Sequence, residues 1–448
     1  MIKKYKFYKK IILIIGLGQT GKSVAKFLLK KKCKIFFWDD NEQVKGEKNI
    51  ERVISKKLNP KYFDYIFISP GIRKKNPLVK KFLTKGVKLS NDIELFLYDK
   101  KFFNIKNPLI AITGTNGKST VALMIAEAIK TKPLGNYGNM VLENTAKSKK
   151  AMVLELSSFQ LDYIKKIKPK ISIITNIKPD HIEHHGNFNI YRETKFKITN
   201  HQNASDFLIL NYDDNELRKK FKIQIDGGPK IIWVSRKKCL KKGIFIKNRS
   251  LVDNYFDKKI YEFEENIFLR LEHNKLNLGL TYACLKVINA KANNIIKKFS
   301  NFKGLPHRIE FVGKLNNIDF YNDSKATNVA ATCSALESFE KVILIAGGTK
   351  KGENFKPLNK YLDKIYAVFL FGESANEIKQ VLKKVSKISI CEDMLHAVKE
   401  SYASNIKSNN SYPILLSPAS ASFDFYENYK QRGEHFKIIF KEMLENVA

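Results

Sequence analysis

Short apolar runs separated by lysine-rich stretches of helical period recur along the whole chain. Ile11–Ile15, Lys34–Trp38 and Tyr65–Ser69 are runs of about five residues dominated by Ile, Leu, Phe and Trp. Their length and lack of alternation predict strands buried on both faces. Between the first two, Lys22–Lys32 has the spacing of a helix, and strand, helix, strand in that order predicts βαβ units on a parallel sheet. The pattern resumes with a strand at Pro108–Thr113, a helix over Val121–Lys130, and strands at Ala151–Leu154 and Ile171–Thr175. Gly243–Asn266 reads as short strands and turns, and Leu276–Ala290 as a helix. A third stretch predicts strands at Val342–Ala346, Ala367–Phe371 and Pro413–Leu416, then a helix from about Tyr426 to Asn446. All three segments are therefore expected to be α/β, and 448 residues suit three domains.

Composition narrows the class. With 44% hydrophobic residues the chain can build real cores. The formal charge of +37 invites a nucleic-acid reading, but a binding patch should be clustered. Here lysines run from Lys3 to Lys441 in short groups, as on a solvated surface that could also draw in anionic substrates. No nucleic-acid partner is expected. The five cysteines include no CxxC pair, which points away from a disulfide framework or zinc ribbon and towards a reducing cytosol. The basic Lys3–Lys10 segment before Ile11–Ile15 resembles the start of a signal peptide. That apolar run is too short and enters a glycine loop without a small-residue cleavage site. No stretch reaches the ~20 apolar residues of a membrane span, so a cytoplasmic protein without membrane association is expected.

Two glycine loops follow predicted strands. Thr113-Gly114-Thr115-Asn116-Gly117-Lys118-Ser119-Thr120 lies between a strand and a helix, the setting of a phosphate-binding loop. Glycines let backbone amides turn onto phosphate oxygens, and the helix N-terminus adds partial positive charge. Lys118 can reach the terminal phosphates, and Ser119 or Thr120 can hold Mg²⁺. The general pattern has a further glycine where this chain has Ile112. Gly16-Leu17-Gly18-Gln19-Thr20-Gly21 fits GxGxxG, with Asp39 ending the next strand, which alone predicts a dinucleotide-binding unit.

The form Thr113–Thr120 takes resembles that of Mur ligases and the related folylpolyglutamate synthases, and the resemblance to Mur ligases extends along nearly the whole chain. It implies a Rossmann-like N-terminal domain over residues 1–104 that binds a UDP-substrate, a central P-loop ATPase-like domain with a parallel sheet over 105–304, and a Rossmann-like C-terminal amino-acid-binding domain over 305–448. It implies ATP as cosubstrate, held by Gly114 to Thr120. In Glu155-Leu156-Ser157-Ser158-Phe159-Gln160-Leu161 and Thr175–His181 it assigns Glu155 and His181 to a second Mg²⁺. In Tyr191–Lys195 it makes Lys195 a carbamylated lysine, an anion beside the metals where an ammonium would be repelled. His184 and His185 are expected to be loop residues. Asn274 and Asn277 would contact adenine, and an amide offers it both donor and acceptor. Arg308, in Gly304–Arg308, would reach the nucleotide at a hinge.

In Asn322–Asn328 the resemblance gives Asp323 to the ribose, Lys325 to the reacting phosphate and Thr327 to the incoming amino acid. In Gly347–Gly352 it pairs Lys351 with a substrate carboxylate, and Lys350 is an extra charge. Ser422, Phe423 and Tyr429 match the pocket of the members that add D-glutamate, with tyrosine a departure at the last position. Gly18, Gln19 and Thr20 would hold the diphosphate of a UDP-sugar. Asp39 and Asp40 would lie by uracil, and Ser69, Pro70, Gly71 and Asn136 in further substrate loops, with Asp92–Phe96 also matching.

The expected activity is therefore ATP-dependent ligation of D-glutamate to UDP-N-acetylmuramoyl-L-alanine through an acyl phosphate, in peptidoglycan precursor synthesis, by a monomer. Another amino-acid ligase of the same or the folate-related family is the alternative within enzymes. An NAD-dependent dehydrogenase would rest on GxGxxG and leave Gly114–Thr120 and Glu155–Leu161 unexplained. A nucleic-acid-binding NTPase would rest on charge.

Overall fold

A computed structural model describes residues 7–446 except 56–57, 74, 99–107, 137–139, 144–150, 224–225, 265–266, 271, 301, 303, 351 and 353. The chain packs as two compact units, Met1–Glu264 with His273–Phe299, and Glu265–Glu272 with Ser300–Ala448. The first carries two sheets and the second one.

The N-terminal sheet comprises β1 (Ile11–Ile15), β2 (Lys34–Trp38), β3 (Ile50–Arg52), β4 (Tyr65–Ile68) and β5 (Lys88–Ser90), all parallel in the order β3-β2-β1-β4-β5. The Gln19–Leu29 helix follows β1, buries Val24, Ala25 and Leu28, and starts earlier than its apolar period suggests. The central sheet comprises β6 (Leu109–Thr113), β7 (Leu134–Gly135), β8 (Met152–Glu155), β9 (Ile171–Ile174), β10 (Phe207–Asn211), β11 (Lys230–Ser235), β12 (Ile244–Lys247), β13 (Ser250–Asp253) and β14 (Lys259–Glu262). Its order is β14-β13-β12-β11-β10-β9-β6-β8-β7, parallel from β7 to β12 and closed by an antiparallel meander. That meander is the segment whose residues read as short strands and turns.

One apolar cluster runs through both sheets of this unit, joining Ile12, Ile14 and Phe67 to Leu154, Ile174 and Leu210. Polar clasps add direction to it: Asn91 Nδ2 donates to Gln160 O at 3.1 Å, Glu94 Oε1 accepts from Lys165 N at 2.8 Å, and Tyr163 Oη donates to Ile72 O at 2.8 Å. The Lys118–Ala128 helix buries Val121, Ala122, Met124, Ile125 and Ala126, so it has little exposed apolar face to spare. The Ala292–Ser300 helix, between the predicted helix and the boundary expected near 304, had no place in the sequence reading.

The second unit holds β15 (Glu310–Leu315), β16 (Ile318–Asn322), β17 (Val342–Gly347), β18 (Ile365–Phe371), β19 (Lys387–Ile390) and β20 (Ile414–Leu416), ordered β15-β16-β20-β17-β18-β19. Among the described strands of this sheet the β15–β16 hairpin is antiparallel and the other pairings are parallel. Two apolar clusters, one around Leu344 and Leu370 and the other around Ile345 and Phe440, cover the sheet's two faces, as the alternating side chains of β17 require. Among the described residues no helix is long and apolar enough to cross a membrane.

Candidate active site

The phosphate-binding loop leaves β6 at Thr113. Gly114 and Gly117 have φ of +141° and +83°, values that favour glycine. A Cβ on Gly114 would run into Thr175 Oγ1, and one on Gly117 would stand 2.6 Å from Asn277 Oδ1. Neighbouring segments brace the loop. Thr115 N donates to Asn176 O at 2.8 Å, Asn116 N to Asn176 Oδ1 at 2.9 Å, and Thr115 Oγ1 meets Tyr191 Oη at 2.9 Å. Lys118 opens the helix beyond the loop, and its Nζ folds back to Thr115 O at 2.7 Å. Ser119 and Thr120 occupy that helix's first turn, where unpaired amides favour an anion. Asn277 Nδ2 donates to Asn274 Oδ1 at 3.2 Å, so the expected adenine contacts form one buried pair beside Gly117.

Beside this loop, Glu155 ends β8. Its Oε1 accepts from Asn136 Nδ2 at 2.8 Å, while Oε2 is buried with no hydrogen-bond partner. An orphaned carboxylate oxygen is costly unless a ligand or ion completes it, and a hard oxygen fits a divalent cation. Lys195, on the Phe188–Phe196 helix, is buried, donates to Gly114 O at 2.7 Å and lies 4.8 Å over the Tyr191 ring. Burial, reinforced by the Lys118 charge, holds its amine well below the ordinary lysine range. The sequence-predicted Glu155, Lys195 and Lys118 are thus brought to one place.

His181 sits in the left-handed region at φ +51° with its ring 4.7 Å from that of Phe159. The capping box of Ser157 and Gln160 fixes the helix that carries Phe159. His184 and His185 are helical, in Ile182–His185, contrary to the expected loop. His185 is buried, its Nε2 lies 3.0 Å from Ser158 Oγ, and burial pulls its pKa down to about 4, as suits a neutral packing histidine. Among the described residues, no three His, Cys, Asp or Glu side chains gather into a metal-binding group.

At the N-terminal sheet, the loop after β1 is held by strand-end side chains. Asp39 Oδ2 accepts from Leu17 N at 2.7 Å, and Ser69 Oγ donates to Gly16 O at 2.7 Å. Gly18 caps the Gln19–Leu29 helix, which places Gln19 and Thr20 in its first turn. Asp40 Oδ1 accepts from Asn41 N at 3.0 Å, and Pro70 and Gly71 turn the chain beyond β4. The structure therefore gathers these expected substrate contacts at the C-terminal ends of β1, β2 and β4. Thr20 Oγ1 lies 4.0 Å from Met140 Sδ, bringing the loop to the central sheet's side. Of the expected Asn136–Asn139 loop, Tyr137, Gly138 and Asn139 lie outside the described residues.

In the second unit, Asp323 is buried and accepts from Ser417 Oγ at 2.8 Å and Ile309 N at 3.3 Å. Burial pushes its carboxyl up to about 7. Lys325 N donates to His307 O at 3.0 Å, and Thr327 N to Lys325 O at 2.9 Å. Arg308 is exposed, between His307 and Ile309 at φ of +62° and +47°. Ser422 is buried, whereas Phe423 is 61% exposed. Lys350, the extra charge, pairs with Glu377 at 2.6 Å, and Lys351 lies outside the described residues.

Arg432, in the Tyr429–Gly433 stretch, is the residue to which sequence reasoning gave no role. Fully buried, it donates from Nε to Ser324 Oγ at 3.0 Å, from Nη1 to Ala421 O at 3.1 Å and from Nη2 to Ser324 O and Ser420 O at 3.0 Å. It fastens the Asp323–Lys325 turn to the serine-rich loop. The available signal was its register, since it shares the buried stripe of Phe436, Ile439 and Phe440.

Three family models match the chain: "Mur ligase MurD-like, N-terminal domain" over residues 10–91, "Mur ligase middle domain" over 112–285 and "Mur ligase, glutamate ligase domain" over 307–418. Curated relatives named UDP-N-acetylmuramoylalanine--D-glutamate ligase include one from Rickettsia bellii, 34% identical over 442 residues and covering 96% of both chains. Another, from Caldicellulosiruptor bescii, is 34% identical over 459 residues, covering 97% of this chain and 98% of the relative. Among solved structures, UDP-N-acetylmuramate-alanine ligase from Thermotoga maritima aligns with a TM-score of 0.59 at 17% identity, covering 97% of this chain and 100% of that one. MurF ligase from Thermotoga maritima in complex with ADP aligns at 0.58 and 16% identity, covering 100% and 98%. At such identities the structural likeness concerns the fold.

Proposed function

Since this chain belongs to the Mur ligase family, we propose that it joins D-glutamate to UDP-N-acetylmuramoyl-L-alanine at the expense of ATP, a cytoplasmic step of peptidoglycan precursor synthesis. The reading rests on full-length likeness to relatives of that name. The observation that carries the chemistry is the buried Lys195 amine, beside the phosphate-binding loop and within reach of the Glu155 charge.

The loop amides from Gly114 to Thr120 and the Lys118 ammonium orient the ATP phosphates. The pair Asn274 and Asn277 receives adenine, while Arg308 and Asp323 contact the nucleotide from the C-terminal segment. Lys325 offsets charge as the γ-phosphoryl group passes to the L-alanyl carboxylate, releasing ADP. The D-glutamate amine, placed by Thr327, Lys351, Ser422, Phe423 and Tyr429, attacks the acyl carbon. The tetrahedral intermediate expels phosphate, the amine loses a proton and the amide forms. Gly18, Gln19, Thr20, Asp39, Asp40, Ser69, Pro70, Gly71 and Asn136 hold the UDP-substrate.

Two Mg²⁺ ions would be held by Ser119 or Thr120 and by Glu155, His181 and a carbamate on Lys195. Bound there, they supply positive charge that lets one anion approach another. A neutral lysine amine is the form that adds CO₂, and burial favours that form at Lys195. No protein nucleophile is needed.

Phosphate release from ATP, followed with UDP-N-acetylmuramoyl-L-alanine and D-glutamate, L-glutamate, glycine, L-lysine or meso-diaminopimelate in turn, tests this reading. Turnover with D-glutamate alone is expected. Preference for another amino acid removes the assignment while keeping the chemistry.

A further inference from the structure

Tyr429 opens the C-terminal Tyr429–Glu445 helix with its ring half-buried. The Lys325 ammonium lies over the face of that ring, 5.6 Å from its centroid. From another side the His307 ring meets it nearly edge-on, with centroids 6.1 Å apart and planes at 79°. Hydrogen bonds tie the three together. Lys325 N donates to His307 O at 3.0 Å, and Ser324 Oγ donates to Tyr429 O at 2.8 Å while accepting from Arg432 Nε at 3.0 Å. It is the Tyr429 ring that Lys325 and His307 meet.

We propose that Tyr429 is a positioning residue for Lys325, its π-face holding the ammonium where the phosphoryl group is transferred. This deepens the proposed reaction and rests on it. A lysine stem has four rotatable bonds, and a flexible ammonium loses rate through misplacement. An aromatic face braced by His307 restricts where that charge can rest, without neutralising it as a carboxylate would. A wall of the amino-acid pocket would need only the shape of the ring, whereas holding a cation needs its electrons.

Single-turnover phosphoryl transfer in the full-length protein, with Tyr429 replaced by Phe and then by mono-, di- and trifluorinated phenylalanines, separates these roles. Fluorine drains the π-face and leaves shape almost unchanged. Counted from the Tyr429→Phe variant, which keeps the ring and its π-face, the rate should fall stepwise with each fluorine, by about three- to thirty-fold in total. Along that series the KM for D-glutamate, which depends on the unchanged shape of the ring, should move less than the rate. A flat series overturns the proposal, as does a loss seen only in the KM for D-glutamate, or a Tyr429→Phe variant as slow as the trifluorinated one. If the parent protein itself shows no D-glutamate-dependent turnover, the functional reading fails instead.

Discussion

Lys195 and Asp323 show what burial does to single charges. Burial of Lys195, reinforced by the repelling Lys118 charge, outweighs the backbone carbonyl and aromatic face that would favour an ammonium, so its protonated form is disfavoured. Lys195→Ala is expected to lower turnover at least about a hundredfold, a rough scale for lost charge stabilisation. Acetate or another small carboxylate should restore part of it by supplying an anion in the vacated space. Failure of every small acid to restore turnover would remove the carbamate role. Asp323 carries the opposite shift. Its folded pKa near 7 exceeds the ordinary carboxyl value of 3.8, so the folded chain keeps a proton that the unfolded chain has lost. Its contribution to stability is therefore full below about pH 4 and lost as pH rises through 7. Asp323→Asn should flatten this slope, gaining on the order of 2 kcal/mol relative to the parent between pH 5 and pH 8. Denaturant melts at the two pH values would show it, and parallel pH profiles for the two proteins would refute it.

Burial on both faces made many core strands legible, although the largely buried β10 and β16 went unpredicted. β1, β6 and β17 are apolar runs ending in loop signals, β9 is one interrupted by Ser172, and each formed where its pattern predicted it to within a residue or two. Short edge or near-edge strands were missed: β3 and β19 bury few of their side chains, and β5, although it buries Leu89 and Ser90, is too short to carry a pattern. The phosphate-binding loop was legible because its conformation demands glycine at fixed spacing. Gly117→Ala tests that demand at the level of the element. It would combine φ +83° with a contact 2.6 Å from Asn277 Oδ1, costing about 1–2 kcal/mol in conformation alone. ATP affinity should fall more than thermal stability accounts for, as read by nucleotide titration against the melting curve. Arg432 and the Lys325–Tyr429 pair escaped the sequence because their partners converge from positions about one hundred residues apart.

Over the whole molecule, a net charge of +37 is spread rather than gathered. Like charges destabilise a compact chain, and salt screens them over about 8–10 Å. The melting temperature should therefore rise when sodium chloride is increased from low to physiological concentration, by a few degrees if about 1–2 kcal/mol is recovered. A melting curve indifferent to salt would mean that local pairs such as Arg192–Glu216 at 2.7 Å already compensate the excess. The same field should speed capture of anionic substrates at low ionic strength without deciding which amino acid is joined.

The direct test of carboxylate activation follows an oxygen atom. UDP-N-acetylmuramoyl-L-alanine labelled with ¹⁸O in its alanyl carboxylate is turned over with ATP and D-glutamate, and the released phosphate is weighed by mass spectrometry. Transfer through an acyl phosphate places one labelled oxygen in each phosphate formed. Phosphate free of label, with ADP produced and the amide made, would contradict it.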